Sequence, residues 1–311
     1  MTSCFPPEGR LLHTLENQEA CASPAALRRA MEAGTILEGT ALFCDARYDL
    51  TVALGGFTGR IPRKEAALGI AEGETRDIAI LSRVGKPVCF MVEALEEQDG
   101  KIVPILSRRR AQQAALDHML NCWKPGQIVE AAVTHLEPFG AFVDVGCGVV
   151  SLIGIENISV ARIPHPQARF SVGDSIRAVV QDLDPARRRI YLTHKELLGT
   201  WQENAARFHV GMTVPGIVRG IKEYGAFVEL TANLSGLAEH NPLLQEGGRV
   251  SVYIKAILPE RMKIKLLVID ALPPLSQPEP LQYFLTEGRM EKWKYAPPGC
   301  DKVGLESIFS D

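Results

Sequence analysis

Phe139 and Phe142 stand three positions apart with Gly140 and Ala141 between them, and the same arrangement recurs 85 positions later as Tyr224, Gly225, Ala226 and Phe227. Flat aromatic faces on a β-rich unit stack unpaired nucleotide bases, at about 1–3 kcal/mol per base. Residues three apart on a regular strand face opposite ways. Gly140 and Ala141 permit a bend or bulge that brings both rings to one face. The other reading makes Phe142 ordinary barrel core and leaves only Phe139 exposed. The recurrence weighs against it, because a dry core tolerates the change from Phe to Tyr poorly.

Cations accompany each pair. Arg187, Arg188 and Arg189 follow closely on Asp182 and Asp184. An Arg beside an aromatic platform binds phosphate or stacks on a base, and an Asp orients it or accepts from a base edge. A solvated turn with surface ion pairs accounts for the same residues. The later unit has Arg261, Lys263 and Lys265, with Pro259 where the acid would stand. His165, between two prolines, either touches RNA or belongs to a stiff turn, the turn being the commoner case. The other histidines lack metal-ligand spacing, and neither a nucleophile with its base nor a Gly-rich phosphate loop stands out. The chain is therefore expected to be a non-enzyme without cofactor or metal.

The elements that must carry these residues repeat too. AAVTHLEPFGAFVDV (131–145) overlays GIVRGIKEYGAFVEL (216–230) without a gap, and repeats fix architecture before motifs do. Residues 1–33 suggest a helical lead-in, with Ser23 as N-cap, Pro24 at the first helical position and Gly34 as the stop. Five strands are then expected from TILEGTALF, LTVALGG, RDIAILSRV, PVCFMVEAL and KIVPILS, enough for one small barrel over 34–110. A helical connector (111–123) leads to a second barrel (124–197), with strands QIVEAAVTHLE, AFVDVG, VVSLIGI, SIRAVVQDL and RRIYLTHK. A second connector (198–209) leads to a third barrel (210–270). Ile190 and Ile264 stand only 74 apart, so the third unit lacks about eleven residues, the ARIPHPQARF loop of the second. A Pro-rich linker and a tail (271–311) follow, the tail too rich in Tyr283, Phe284, Trp293 and Tyr295 to stay solvated.

The bulk numbers agree. A chain of 311 residues with 27 Gly and 20 Pro fits several turn-rich modules. A net charge of −3 excludes a protein that coats nucleic acid by charge alone. Seven scattered cysteines without a Cys-x-x-Cys pair point to reduced thiols rather than a disulfide framework or zinc site. No stretch has the length and apolarity of a membrane span, and the N-terminus has no signal-like pattern, so a soluble cytoplasmic protein is expected.

The segments GQIVEAAVTHLEPFGAFVDVGCGVVSLIGIENIS, VGDSIRAVVQDLDPARRRIYLTHKE and GMTVPGIVRGIKEYGAFVELTANLSGLAE resemble the RNA-binding repeat of the bacterial ribosomal protein S1 family, a five-stranded OB-fold barrel. Short homologues from clostridia-like Gram-positive bacteria are the most alike. The resemblance implies a mainly β fold: three five-stranded OB-fold barrels in tandem, joined by short helices, with a helical lead-in and an aromatic tail. The family's binding face uses two aromatics, a His, an Asp and a basic residue. On the second repeat these positions hold Phe139, Phe142, Asp184 and Arg189, with Gly154 in the His place. On the third they hold Tyr224, Phe227 and Lys263, with Glu239 for His and Pro259 for Asp. Arg188, His165 and Arg219 are secondary candidates. The first repeat offers only Tyr48, with Thr51 in the second aromatic place, and so is expected to face protein, in the manner of the ribosome-contacting leading repeats of longer members.

These readings converge on a binder of single-stranded RNA, with mRNA at the small ribosomal subunit as the implied ligand and repeat 1 as the implied contact to that subunit. An adaptor whose barrels bind a ribonuclease or the transcription machinery is the rival. A nuclease subunit is disfavoured, because barrels, connectors and tail account for nearly the whole chain.

Overall fold

The structure is a computed structural model that describes residues 5–98, 100–239, 241, 244–274, 280–300 and 304–310. Cys4, His240 and the middle of the Pro-rich linker (275–279) lie outside the described residues.

The lead-in forms two helices, α1 (Leu15–Ala20) and α2 (Pro24–Ala33). The Ser23 hydroxyl accepts from the Ala26 N–H, and Gly34 closes α2 with φ of 64°, a left-handed conformation that suits glycine. Helix α1 is capped by Thr14.

Barrel one comprises β1 (Leu37–Cys44), β2 (Leu50–Leu54), β3 (Phe57–Ile61), β4 (Pro87–Gln98) and β5 (Lys101–Ser107). The expected strand RDIAILSRV is wrong: residues Ile78–Leu81 form a short helix, α3, and the third strand is FTGRI. Two glycines at 55 and 56 turn β2 directly into β3, a hairpin signal in its own right. An apolar run of four cannot be told from a strand by periodicity, and here only Ile80 of that run is buried.

Helix α4 (Arg108–Cys122) then leads to barrel two, with β6 (Ile128–Glu137), β7 (Gly140–Asp144), β8 (Val150–Gly154), β9 (Ser175–Asp184) and β10 (Arg189–Thr193). After α5 (Trp201–Ala205), barrel three comprises β11 (Thr213–Lys222), β12 (Gly225–Thr231), β13 (Leu234–Ala238), β14 (Arg249–Leu258) and β15 (Lys263–Leu272). All three sheets close in one order, first strand to second, third, fifth and fourth. In each, the third and fifth strands pair in parallel. That connectivity is the OB type. Among the described residues no helix is long and apolar enough to cross a membrane.

The residues group into two compact units, 1–123 with 130–132 and 144–150, and 124–129 with 133–143 and 151–311. In the first unit, buried Glu38 accepts from the N–H groups of Gly9, Leu11 and Leu12, and Arg108 grips Glu8 at 2.6 Å. These bonds tie the lead-in to barrel one and α4. In the second unit, the tail pairs β16 (Lys292–Lys294) with β17 (Glu306–Ile308). Met290, Trp293, Tyr295 and Phe309 are buried in the core cluster of barrel three, which also takes in Trp201 of α5. The aromatic density of the tail thus has a destination.

Candidate nucleic-acid interface

The aromatic pair reaches one face because only one member is on a strand. Phe139 sits on the turn between β6 and β7, and Phe142 lies within β7. Between them Gly140 is obligatory: a Cβ there would stand 2.4 Å from the Ile153 carbonyl oxygen, and at Gly225 one would stand 2.3 Å from that of Ala238. The resulting geometry is the same twice. The rings of Phe139 and Phe142 are centred 6.0 Å apart at 88°, those of Tyr224 and Phe227 6.2 Å apart at 89°. Phe139 is 55 %, Tyr224 68 % and Phe227 37 % exposed, while Phe142 is half-buried, so none of the four is sealed within a barrel core.

A lateral row extends each platform. On barrel three Phe227 pairs with Leu237, and Leu237 with Lys265. On barrel two the matching row continues from Leu152 to Tyr191, cross-strand partners with exposed side chains. Tyr191 was missed, although its signal was in the sequence: Ile190 and Leu192 are core, so strand alternation turns Tyr191 outward. His135 was missed as well. Its ring lies 6.1 Å from that of Phe142 and its Nε2 2.7 Å from Glu137. It had been weighed only as a metal ligand.

The basic residues divide. Arg189 pairs with Asp184 across the β9–β10 hairpin and shares an exposed face with Tyr191. Asp184 accepts from the Arg187 N–H at 2.9 Å and so shapes the hairpin turn, where Arg188 takes a left-handed φ of 54°. Lys263 and Lys265 are exposed on one face of β15. Glu239 pairs with Lys255 at 3.0 Å, and Gly154 ends β8 beside the Glu156 carboxylate. Two secondary candidates have other tasks. The Nδ1 of His165 accepts from the Gln167 N–H at 3.2 Å, capping a turn. Arg219 is held in two hydrogen bonds by Glu229, at 2.8 and 3.2 Å, and is only 12 % exposed. Its side chain is not offered to RNA at the platform.

On barrel one, Tyr48 packs against the core. Thr51 pairs instead with Phe43, which is 55 % exposed and follows a bulge in β1. The same bulge in β11 precedes Gly220, opposite Phe227.

A tandem of OB-type barrels, two of them bearing a perpendicular aromatic pair at the same turn and strand, is the architecture of oligonucleotide-binding proteins. Residues 123–195 match the family model described as S1 RNA binding domain, and the match covers barrel two. Similarity extends well beyond this barrel. The chain is 27 % identical over 247 residues to small ribosomal subunit protein bS1 of Rhizobium meliloti, covering 78 % of this chain and 41 % of that one. It is 28 % identical over 205 residues to bS1 of Staphylococcus aureus, covering 61 % and 52 %. The resemblance to the bacterial S1 family is therefore real, and the chain spans about half the length of these curated relatives. Among solved structures, a multidomain protein with nucleic acid binding domains from Streptococcus pneumoniae aligns over 76 % of this chain and 74 % of its own, at 14 % identity and a TM-score of 0.24.

Proposed function

We propose that this protein is a non-enzymatic, cytoplasmic binder of single-stranded RNA that engages mRNA at the small ribosomal subunit. Phe139, Phe142 and Tyr191 of barrel two, and Tyr224 and Phe227 of barrel three, stack unpaired bases. Arg189, Lys263 and Lys265 hold the neighbouring phosphates. The observation that carries this reading is the recurrence of one perpendicular aromatic pair on two barrels. Titration of fluorescent oligoribonucleotides tests it, with tight binding of a single strand and poor binding of the matching duplex expected. Equal affinity for the duplex overturns it.

Barrel one supports a second role. It lacks the pair and instead exposes Leu42 and Phe43 side by side, an apolar patch suited to a protein surface on the ribosomal subunit or on another partner. Gradient co-sedimentation with small subunits, with and without Phe43→Ser, distinguishes the two partners.

A further inference from the structure

The loop 155–174, present in barrel two and shortened in barrel three, carries Arg169 to the flank of barrel three. There Arg169 is 4 % exposed and meets the Glu229 carboxylate at 2.7 Å, alongside Arg219 at 2.8 Å. Both cations share that single anion. Its two oxygens already accept three N–H bonds, one from Arg169 and two from Arg219. The three residues line a cleft of about 190 Å3 to which Arg207 and Arg249 also contribute. Four arginines and one glutamate therefore line the cleft, two of the arginines in contact with the carboxylate. Among the described residues no acidic side chain stands within ion-pair distance of Arg207 or Arg249, and the buried Nε of Arg169 has no hydrogen-bond partner.

Two buried cations sharing one anion leave positive charge in excess, which is costly: burial pushes the Arg169 guanidinium down from its ordinary range, and Glu229 offsets this only in part, with Arg219 adding to it. A second anion in the cleft would supply the missing charge. Planar guanidinium groups are suited to phosphate oxygens, which they bind in paired, charge-assisted hydrogen bonds, and this cleft is lined by arginines from a loop, two strands and the segment after α5. Glu229 sets the selectivity, since it opposes an anion unless several arginines are engaged at once.

We infer that this cleft between the two RNA-binding barrels is a phosphate-binding site, separate from the aromatic platforms. The phosphate belongs either to the backbone of a bound RNA or to a small phosphorylated molecule, and the two sources are separable. The 311-residue chain is compared with Arg207→Gln and with the double variant Arg207→Gln/Arg249→Gln, which leave the Arg169–Glu229–Arg219 cluster intact. Inorganic phosphate and adenosine 5′-monophosphate are titrated calorimetrically against chloride of equal ionic strength. Binding that weakens about tenfold for each lost guanidinium assigns the site to a free phosphate compound. In parallel, binding of a long oligouridylate is followed against salt. A log–log slope shallower by about 0.7 per removed arginine, with the loss caused by Phe142→Ala unchanged, assigns it to the RNA backbone. If both variants match the parent protein in both arms, the cleft is not a phosphate site.

Discussion

A base that lies flat on Phe142 cannot lie flat on Phe139 as well, because the two rings are perpendicular. Successive bases must turn between them, which a single strand does readily and a stacked duplex does not. Phe142→Ala and Phe227→Ala should each weaken single-stranded RNA binding by about 1–3 kcal/mol, with melting temperatures close to those of the parent, as expected for side chains outside the core. Collapse of the fold with unchanged binding by the folded fraction would make the rings structural. The pairs were legible from their spacing, but the reason they share a face was not, since it depends on where the strand begins. His194 shows a different limit. It is fully buried, and its Nδ1 donates to the Ile158 carbonyl at 2.7 Å, so its Nε2 accepts from the Tyr283 hydroxyl at 3.1 Å. Burial holds its pKa down at about 4 against an ordinary 6.5. The unfolded chain then takes up the proton first, so this group removes stability as pH falls from about 6.5 to about 4, by at most about 3 kcal/mol. Buried Asp144, pushed up to about 7 chiefly by burial and then by Glu8, acts in the opposite sense, its contribution being lost as pH rises through about 7. The check is therefore a difference: urea melts at pH 7 and pH 4.5 should show a smaller acid loss in His194→Gln than in the parent.

At the scale of elements, one device is used twice. The turn between the second and third strands of a barrel seats on the segment that precedes the barrel. Gln112 of α4 donates to the Gly148 carbonyl at 2.6 Å. On barrel three Asn233, 85 positions after Gly148, donates at 2.8 Å to the carbonyls of Lys195 and Gly199. Each of these turns is thus hydrogen-bonded to the segment ahead of it. The tail packs on barrel three, and Trp293→Ala should cost the second unit about 3–5 kcal/mol, the range for deleting a buried Trp, measured by denaturant unfolding. Loss of less than about 1 kcal/mol would mean that the tail is an accessory. The strands of barrels two and three were legible because they alternate apolar and polar residues between Gly and Pro breaks. Barrel one was read less well, since its third strand is five residues inside a hairpin, and the apolar run chosen in its place has no period of its own. The tail's composition announced burial, but no local pattern names the surface that receives it.

At the scale of the whole molecule, charge and linkage decide how RNA is held. With a net charge of −3 and few cations beside each platform, the log–log salt slope should correspond to roughly 2–5 phosphates at about 0.7 each; a slope of about −8 or steeper would make binding charge-driven. Barrels two and three are not joined by a loose tether. Val160 N–H donates to the Asn233 side chain at 2.8 Å, Ala161 N–H to the Ala232 carbonyl at 3.1 Å, and Arg169 pairs with Glu229. None of these partners was legible in sequence, because each is a single contact between distant residues. Their consequence is that the second barrel to engage an RNA need not be ordered first, so its contact adds affinity without the entropy of immobilising a domain. Affinity should therefore rise steeply once an oligonucleotide bridges both platforms, beyond roughly 8–12 nucleotides if each barrel takes several, and level off thereafter. A length series of oligouridylates from about 5 to 30 nucleotides, read by fluorescence anisotropy, shows the step. Phe142→Ala should flatten it, since an RNA then has one platform to hold at any length. Affinity that grows only in proportion to length in the parent protein would mean that the barrels bind independently, and would favour barrel-mediated protein contacts as the molecule's main task.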